Sequence, residues 1–318
     1  MRVCLVTPAP PRSRKGNRVT AERWAAILRE LGHDPSIVEA YEDQRCDVLV
    51  ALHARRSAPS VGRFRDRRPR APLVLALTGT DLYRDLAVCP AARRALTLAD
   101  RLVVLQPLGV DELPQPLRHR ARVIYQSAQP PPVRQPPAGG VFEVAVLAHL
   151  RPVKDPLLAA RAVRLLPPES TLTVLHLGAA LEADLAHQAR SETATNRRYR
   201  WLGDLPHARA LRLLARCRLL VVSSKLEGGA NVVTEAIACS VPVLSTRVAG
   251  SVGILGADYP GYFPVGDADR LGFLLDRAEH DRDGLYKDLR RRCDALKPLV
   301  DPARERRSWQ QLLAELEA

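Results

Sequence analysis

Residues 219–250 read LLVVSSKLEGGANVVTEAIACSVPVLSTRVAG. Leu219 to Ser223 is an apolar run, Glu227-Gly228-Gly229 lies in a polar loop, Asn231 to Cys239 has helical spacing, and Val241 to Ser245 is a second buried strand. Strand, loop, helix and strand in that order form one unit of a parallel sheet, and such sheets place ligands beyond the carboxyl ends of their strands. Two glycines let the backbone come close to a ligand, while the N–H groups of Ala230, Asn231 and Val232 at the head of the helix suit an anion such as a phosphate. Glu227 stands at the strand exit and Glu235 eight residues later, two turns into the helix. A carboxylate only accepts hydrogen bonds, so both suit the vicinal hydroxyls of a ribose or hexose. Taken alone, the pair also reads as a helix cap and a solvated helix residue.

The rest of the chain is arranged around that unit. Its 318 residues suit two domains, each large enough for its own core. The formal charge is +13, and only five of the 48 basic residues are lysine. Such a charge favours anionic ligands, yet four Phe, three Trp and seven Tyr give little support to an aromatic platform for nucleic acid. Six cysteines are scattered without metal-type spacing, as in a reducing compartment. No apolar run reaches the about eighteen residues of a membrane span, and the start does not read as a signal peptide, so the expectation is a cytoplasmic protein without a membrane partner.

Arg2 to Thr7 reads as a first strand, followed by a loop through Arg18 and a helix from about Val19 to Leu31 that Gly32 ends. Arg12, Arg14, Lys15 and Arg18 place four cations in seven residues at the head of that helix. The loop suits a small oxyanion, or is a solvated basic loop. Further strands fall at Cys46–His53, at Leu73–Leu77, at Ala99–Gln106 and at Ala121–Ser127, with an exposed arginine-rich span over Arg63–Arg70. The proline-rich run that ends at Gly140 can continue neither helix nor central strand. The expected organisation is a domain over 1–130, a linker over 131–140, a second domain over 141–300, and a terminal helix over 301–318 that packs back on the first domain.

The string from Glu227 to Cys239, followed by Val-Pro-Val-Leu-Ser-Thr, resembles the E-x7-E signature of the retaining-type nucleotide-sugar glycosyltransferases. The resemblance implies an α/β chain with the GT-B fold, two Rossmann-like doubly wound domains facing across a cleft. It implies that Glu235 holds the donor ribose, while Glu227, Gly228, Gly229 and Ala230, with the amides of Asn231 and Val232, handle sugar and diphosphate. The segment from His149 to Pro156 resembles the G-R-x-x-x-K-G element of the family, which makes Arg151 and Lys154 the cations that neutralise the departing diphosphate. Asp155 and Pro156 replace the usual glycine there. Tyr199 to Leu205 resembles the loop against the donor base, which puts Leu202 in that site. Thr78-Gly-Thr-Asp-Leu82 resembles an H-G-T-D loop in which Thr78 replaces a histidine and Asp81 is either a site carboxylate or a helix cap. With the diphosphate neutralised by side chains and amides, no metal or other cofactor is expected.

The opening segment through Trp24, with Thr78–Tyr83 and Tyr125–Ala128, resembles a narrow branch of that family, the selenosugar synthases of selenoneine biosynthesis. The branch implies a UDP-sugar such as UDP-N-acetylglucosamine as donor and selenophosphate as acceptor, met by Lys15, Gly16, Asn17, Arg18, Thr80 and Asp81. Two other readings stay open: a conventional glycosyltransferase acting on a glycan, lipid or small molecule, and a nucleotide- or nucleic-acid-binding protein without catalysis.

Overall fold

A computed structural model describes residues 1–133 and 135–317. Arg134, inside the expected linker 131–140, and Ala318, the last residue of the expected helix 301–318, lie outside the described residues. The chain divides into two units, Met1–Gln126 with Pro302–Ala318 and Ser127–Asp301.

The first unit holds a six-stranded sheet of β1 (Arg2–Val6), β2 (Asp34–Val38), β3 (Val48–Leu52), β4 (Leu73–Leu77), β5 (Arg101–Val104) and β6 (Ala121–Val123), ordered β2-β1-β3-β4-β5-β6. Every pairing is parallel. Strands covered on both faces need apolar residues at consecutive positions. In β4, Leu73, Leu75 and Leu77 enter one core cluster while Val74 and Ala76 enter the other. The helix Gly16–Glu30 buries Thr20, Ala21, Trp24, Ala25, Ile27 and Leu28 at three-and-four spacing. It ends at Gly32, whose left-handed backbone (φ 82°) lets the His33 amide donate to Leu28 O at 2.9 Å. Its first turn is Gly16-Asn17-Arg18, so these residues are helical and not the loop that the sequence suggests.

Most of Arg63–Arg70 is exposed, as the sequence suggests, but Phe64 within it is buried. Residues Ala58–Arg67 form a helix that buries Val61 and Phe64, and Arg65 crosses to the carbonyls of Ala71 and Leu98 and to the Asp100 carboxylate at 2.8 Å. Two apolar residues three positions apart suffice for a buried stripe, although arginines dominate the composition around them. The terminal helix Pro302–Glu317 belongs to the first unit. Trp309 stands edge-on to Trp24 with centroids 4.9 Å apart, and the Trp24 Nε1–H donates to buried Glu305 at 2.8 Å.

The second unit repeats the plan with β7 (Phe142–Leu147), β8 (Leu172–Leu177), β9 (Tyr199–Trp201), β10 (Leu219–Val222), β11 (Val243–Thr246) and β12 (Tyr262–Phe263), ordered β12-β11-β10-β7-β8-β9 and parallel throughout. Strand order reverses between β7 and β10, which is the position where such sheets open a crevice for ligands. Arg198 fastens one edge of this unit by donating to the carbonyls of Leu166, Pro167, Pro168 and Ser170.

Candidate active site

The loops leaving β7 and β10 are fastened together at the reversal point of the second unit. The Lys225 amide donates to Val153 O at 2.8 Å, and the Ser223 hydroxyl lies 2.9 Å from both Lys154 O and Asp155 O. Asp155 takes the left-handed conformation (φ 39°) that a glycine adopts without strain, so the turn persists despite the side chain. Its carboxylate accepts from Arg161 at 3.0 Å.

This arrangement places Lys154 against Glu227. The ammonium pairs with Glu227 Oε1, and the Ser224 hydroxyl donates to the same oxygen at 2.6 Å. Behind them Thr246 Oγ1 donates to Ser224 O at 2.5 Å, which fixes the loop from β11 as well. Gly250 closes the back: a Cβ there would lie 2.2 Å from Glu227 O, closer than any side chain can come. Glu227 is thus held by three loops. Arg151 is half-buried on the same β7 loop, and its guanidinium has no partner among the described residues.

The glycine turn then enters the helix Asn231–Ala238. Gly228 and Ala230 are buried, Asn231 and Val232 are half-buried, and the N-cap residue is Ala230, whose own side chain makes no cap. The first amides of a helix have no partner within the helix and suit an anion. Glu235 lies on the second turn, 9% exposed, with its Oε1 2.8 Å from His207 Nε2. Local sequence reasoning missed His207; the available signal is its place at the head of the helix His207–Arg216, five residues beyond Leu202. Leu202 is itself 38% exposed and follows β9. Beneath it lies His176, buried completely, with Nδ1 2.6 Å from the Tyr199 hydroxyl and Nε2 2.9 Å from Ala148 O. Burial lowers its pKa to about 4. Gly178 packs directly on the β7 loop, where a Cβ would meet Ala148 O.

The residues singled out in the first unit lie at the carboxyl ends of β1 and β4. Lys15 and Gly16 are exposed, Asn17 is half-buried, and the helix that they open has no side-chain cap. Arg18 is paired with Glu22 at 2.7 Å along its own helix. Asp81 is fully buried and accepts from the amides of Ala54 (2.9 Å), Thr78 (3.1 Å) and Gly79 (2.8 Å). Its carboxylate ties the β3 and β4 loops together and does not cap the helical turn that follows. The half-buried Thr80 hydroxyl lies 3.3 Å from Nε2 of His53, a buried residue held at φ 78°. Burial lowers the His53 pKa, opposed by nearby Asp81 and Asp85.

Two Asp-x-Asp strings occur, Asp267-Ala268-Asp269 and Asp281-Arg282-Asp283. Asp267 of the first caps a helix by accepting from the Arg270 amide at 2.7 Å, while in the second Asp281 pairs with Lys287 and Asp283 with Arg277. No helix among the described residues is long and apolar enough to cross a membrane.

Residues 134–295 match the family model described as "Glycosyl transferases group 1". Among solved structures, the chain is similar to Alr3699/HepE of Anabaena in complex with UDP-glucose, at 16% identity and TM-score 0.77, covering 100% of this chain and 99% of that one. A glycosyltransferase of Rickettsia africae ESF-5 matches at 13% identity and TM-score 0.79, covering 99% and 98%. The sucrose-phosphate synthase of Thermosynechococcus elongatus matches at 16% identity and TM-score 0.76, also covering 99% and 98%. These likenesses, with two parallel six-stranded sheets, establish the GT-B fold.

Proposed function

The chain belongs to the group 1 glycosyl transferases, and on that premise we propose that it transfers a hexose from a UDP-sugar to selenophosphate, forming a carbon–selenium bond. The observation that carries the transferase reading is the juxtaposition of Lys154 and Glu227 at the reversal point of the second sheet, with buried Glu235 two turns into the adjoining helix. The UDP-glucose complex of Alr3699/HepE, a protein of the same fold, supports a UDP-sugar as donor.

In this reading Glu235 accepts from the ribose diol and Leu202 lies against the base. Glu227 receives the hexose hydroxyls, and Gly228, Gly229, Ala230, Asn231 and Val232 bring backbone to the sugar and diphosphate. Breaking the bond between the anomeric carbon and UDP leaves charge on the β-phosphate. Arg151, Lys154 and the amides at the head of the helix neutralise that charge without a metal ion. The selenium of selenophosphate supplies the electron pair for the new bond. Because that nucleophile is already ionised and polarisable, it needs little help from a general base, in keeping with Thr78 in place of a histidine.

The acceptor assignment rests on the resemblance of the amino-terminal segments and on the cations near the head of the helix Gly16–Glu30, where Lys15 is exposed. We assign Lys15, Gly16, Asn17, Arg18 and Thr80 to acceptor binding, with Asp81 shaping the loop that carries Thr80. One observation favours a conventional hydroxyl acceptor instead: Arg18 already has Glu22 as a partner. Incubation with UDP-N-acetylglucosamine and either selenophosphate, thiophosphate or a glycan acceptor, with UDP followed by mass spectrometry, separates the two. UDP release that depends on selenophosphate supports the proposal; release with glycans alone refutes it.

A further inference from the structure

We infer that His207 is a positioning residue for donor binding, one that holds the Glu235 carboxylate ready for a diol; this rests on the UDP-sugar reading above. Glu235 lies on the helix after β10 and His207 opens the helix after β9, 28 positions apart in sequence. An ionised carboxylate can only accept, so the imidazole Nε2 carries the proton of the 2.8 Å bond to Oε1. Among the described residues, His207 is the only side chain that binds the Glu235 carboxylate, which leaves Oε2 for a ligand hydroxyl. The two differ in exposure, Glu235 with 11% of its side chain accessible and His207 with 58%. The imidazole therefore stands at the rim while the carboxylate sits inside.

A glutamate side chain free to rotate loses rotamer freedom when a ligand fixes it. The His207 bond fixes it beforehand, so its loss acts on affinity. The ribose is remote from the bond that breaks, and a contact of that kind contributes equally to the ground and transition states. Its removal raises KM for the donor and leaves kcat unchanged.

The test is UDP binding by calorimetry, with donor kinetics, for the wild type, His207→Ala, His207→Gln, Glu235→Ala and the Glu235→Ala/His207→Ala double variant. Glutamine places an amide N–H near the position of Nε2 and so preserves the donor. His207→Ala is expected to raise the UDP Kd and the donor KM about tenfold with kcat within about twofold, and His207→Gln to return to within about threefold of wild type. In the Glu235→Ala background, His207→Ala should add less than about twofold. Because His207 is mostly exposed, both single variants should unfold within about 2 °C of wild type. Wild-type affinity in His207→Ala, equal losses in the alanine and glutamine variants, or a full additional loss without Glu235 would each overturn the inference. If Glu235→Ala weakens UDP binding and His207→Ala does not, only this inference falls. If Glu235→Ala binds UDP as tightly as wild type, the ribose role of Glu235 falls with it.

Discussion

Lys154, on the loop from β7, forms an ion pair with Glu227, on the loop from β10, at the point where the strand order of the second sheet reverses. Both side chains are largely enclosed, with 28% of Lys154 and 10% of Glu227 accessible. The pair brings an ammonium and a carboxylate from two loops to one place.

Replacement of Lys154 by methionine keeps the stem and removes the charge. If the ammonium neutralises the departing diphosphate, kcat for UDP release should fall about 100-fold. The stability cost should stay below about 3 kcal/mol, since Glu227 keeps its bond from Ser224 and some access to water. Steady-state kinetics and urea unfolding measure the two effects, and a kcat within about threefold of wild type contradicts the role.

Gly250→Ala places a methyl group 2.2 Å from Glu227 O. The backbone of the glutamate loop must move, with an expected loss of more than about 2 kcal/mol in stability and of most transfer activity. Gly62→Ala is the control, since it lies within the helix Ala58–Arg67 and nothing stands within 4 Å of its added Cβ. That change should be neutral or stabilising by up to about 1 kcal/mol. Equal behaviour of the two variants would show that the close approach at Gly250 has no consequence.

His176 gives the second unit a dependence on acid. Burial lowers its pKa from 6.5 to about 4, so the folded protein binds this proton less readily than the unfolded chain. Its contribution is complete above the unfolded value and is lost as pH falls from 6.5 toward 4. The loss is on the order of 3 kcal/mol at the acid end. Carboxylates titrate in the same range, so the informative quantity is the difference between wild type and His176→Gln. Urea unfolding at several pH values should show wild-type stability falling more steeply with acid than that of the variant; parallel curves would exclude the role of His176.

Glu305 anchors the terminal helix to the first unit. Alanine there leaves the Trp24 indole N–H without its acceptor and takes the carboxylate from Arg23, which pairs with it at 3.0 Å. The expected cost is about 3 kcal/mol, and Glu305→Gln, which keeps an acceptor oxygen, should cost less. Denaturant unfolding decides; equal costs for the two variants would mean that packing alone holds the helix.

The strands were legible because parallel strands covered on both faces need runs such as Leu73–Leu77 and Leu219–Val222, which periodicity finds readily. The loop around Glu227 and Glu235 was legible because its glycines and carboxylates lie within one short segment. Pairings between distant segments were not. His207 meets Glu235 across 28 residues and His53 meets Thr80 across 27, and no local pattern encodes either. Asp81 could be read as a site residue or a cap, whereas the fold uses its carboxylate to join two loops by backbone amides. The helix Ala58–Arg67 was obscured by its arginines, of which Arg65 folds onto Leu98 O while Arg63 and Arg67 pair with Asp43.

Amide hydrogen exchange with and without UDP tests most directly whether the glutamate loop is the nucleotide-sugar site. The account predicts that UDP slows exchange in peptides covering Gly228–Val233 and Arg151–Lys154, and leaves the helix Ala268–Glu279 unchanged. Unaltered exchange over both loops at saturating UDP, or protection confined to other parts of the chain, would contradict it.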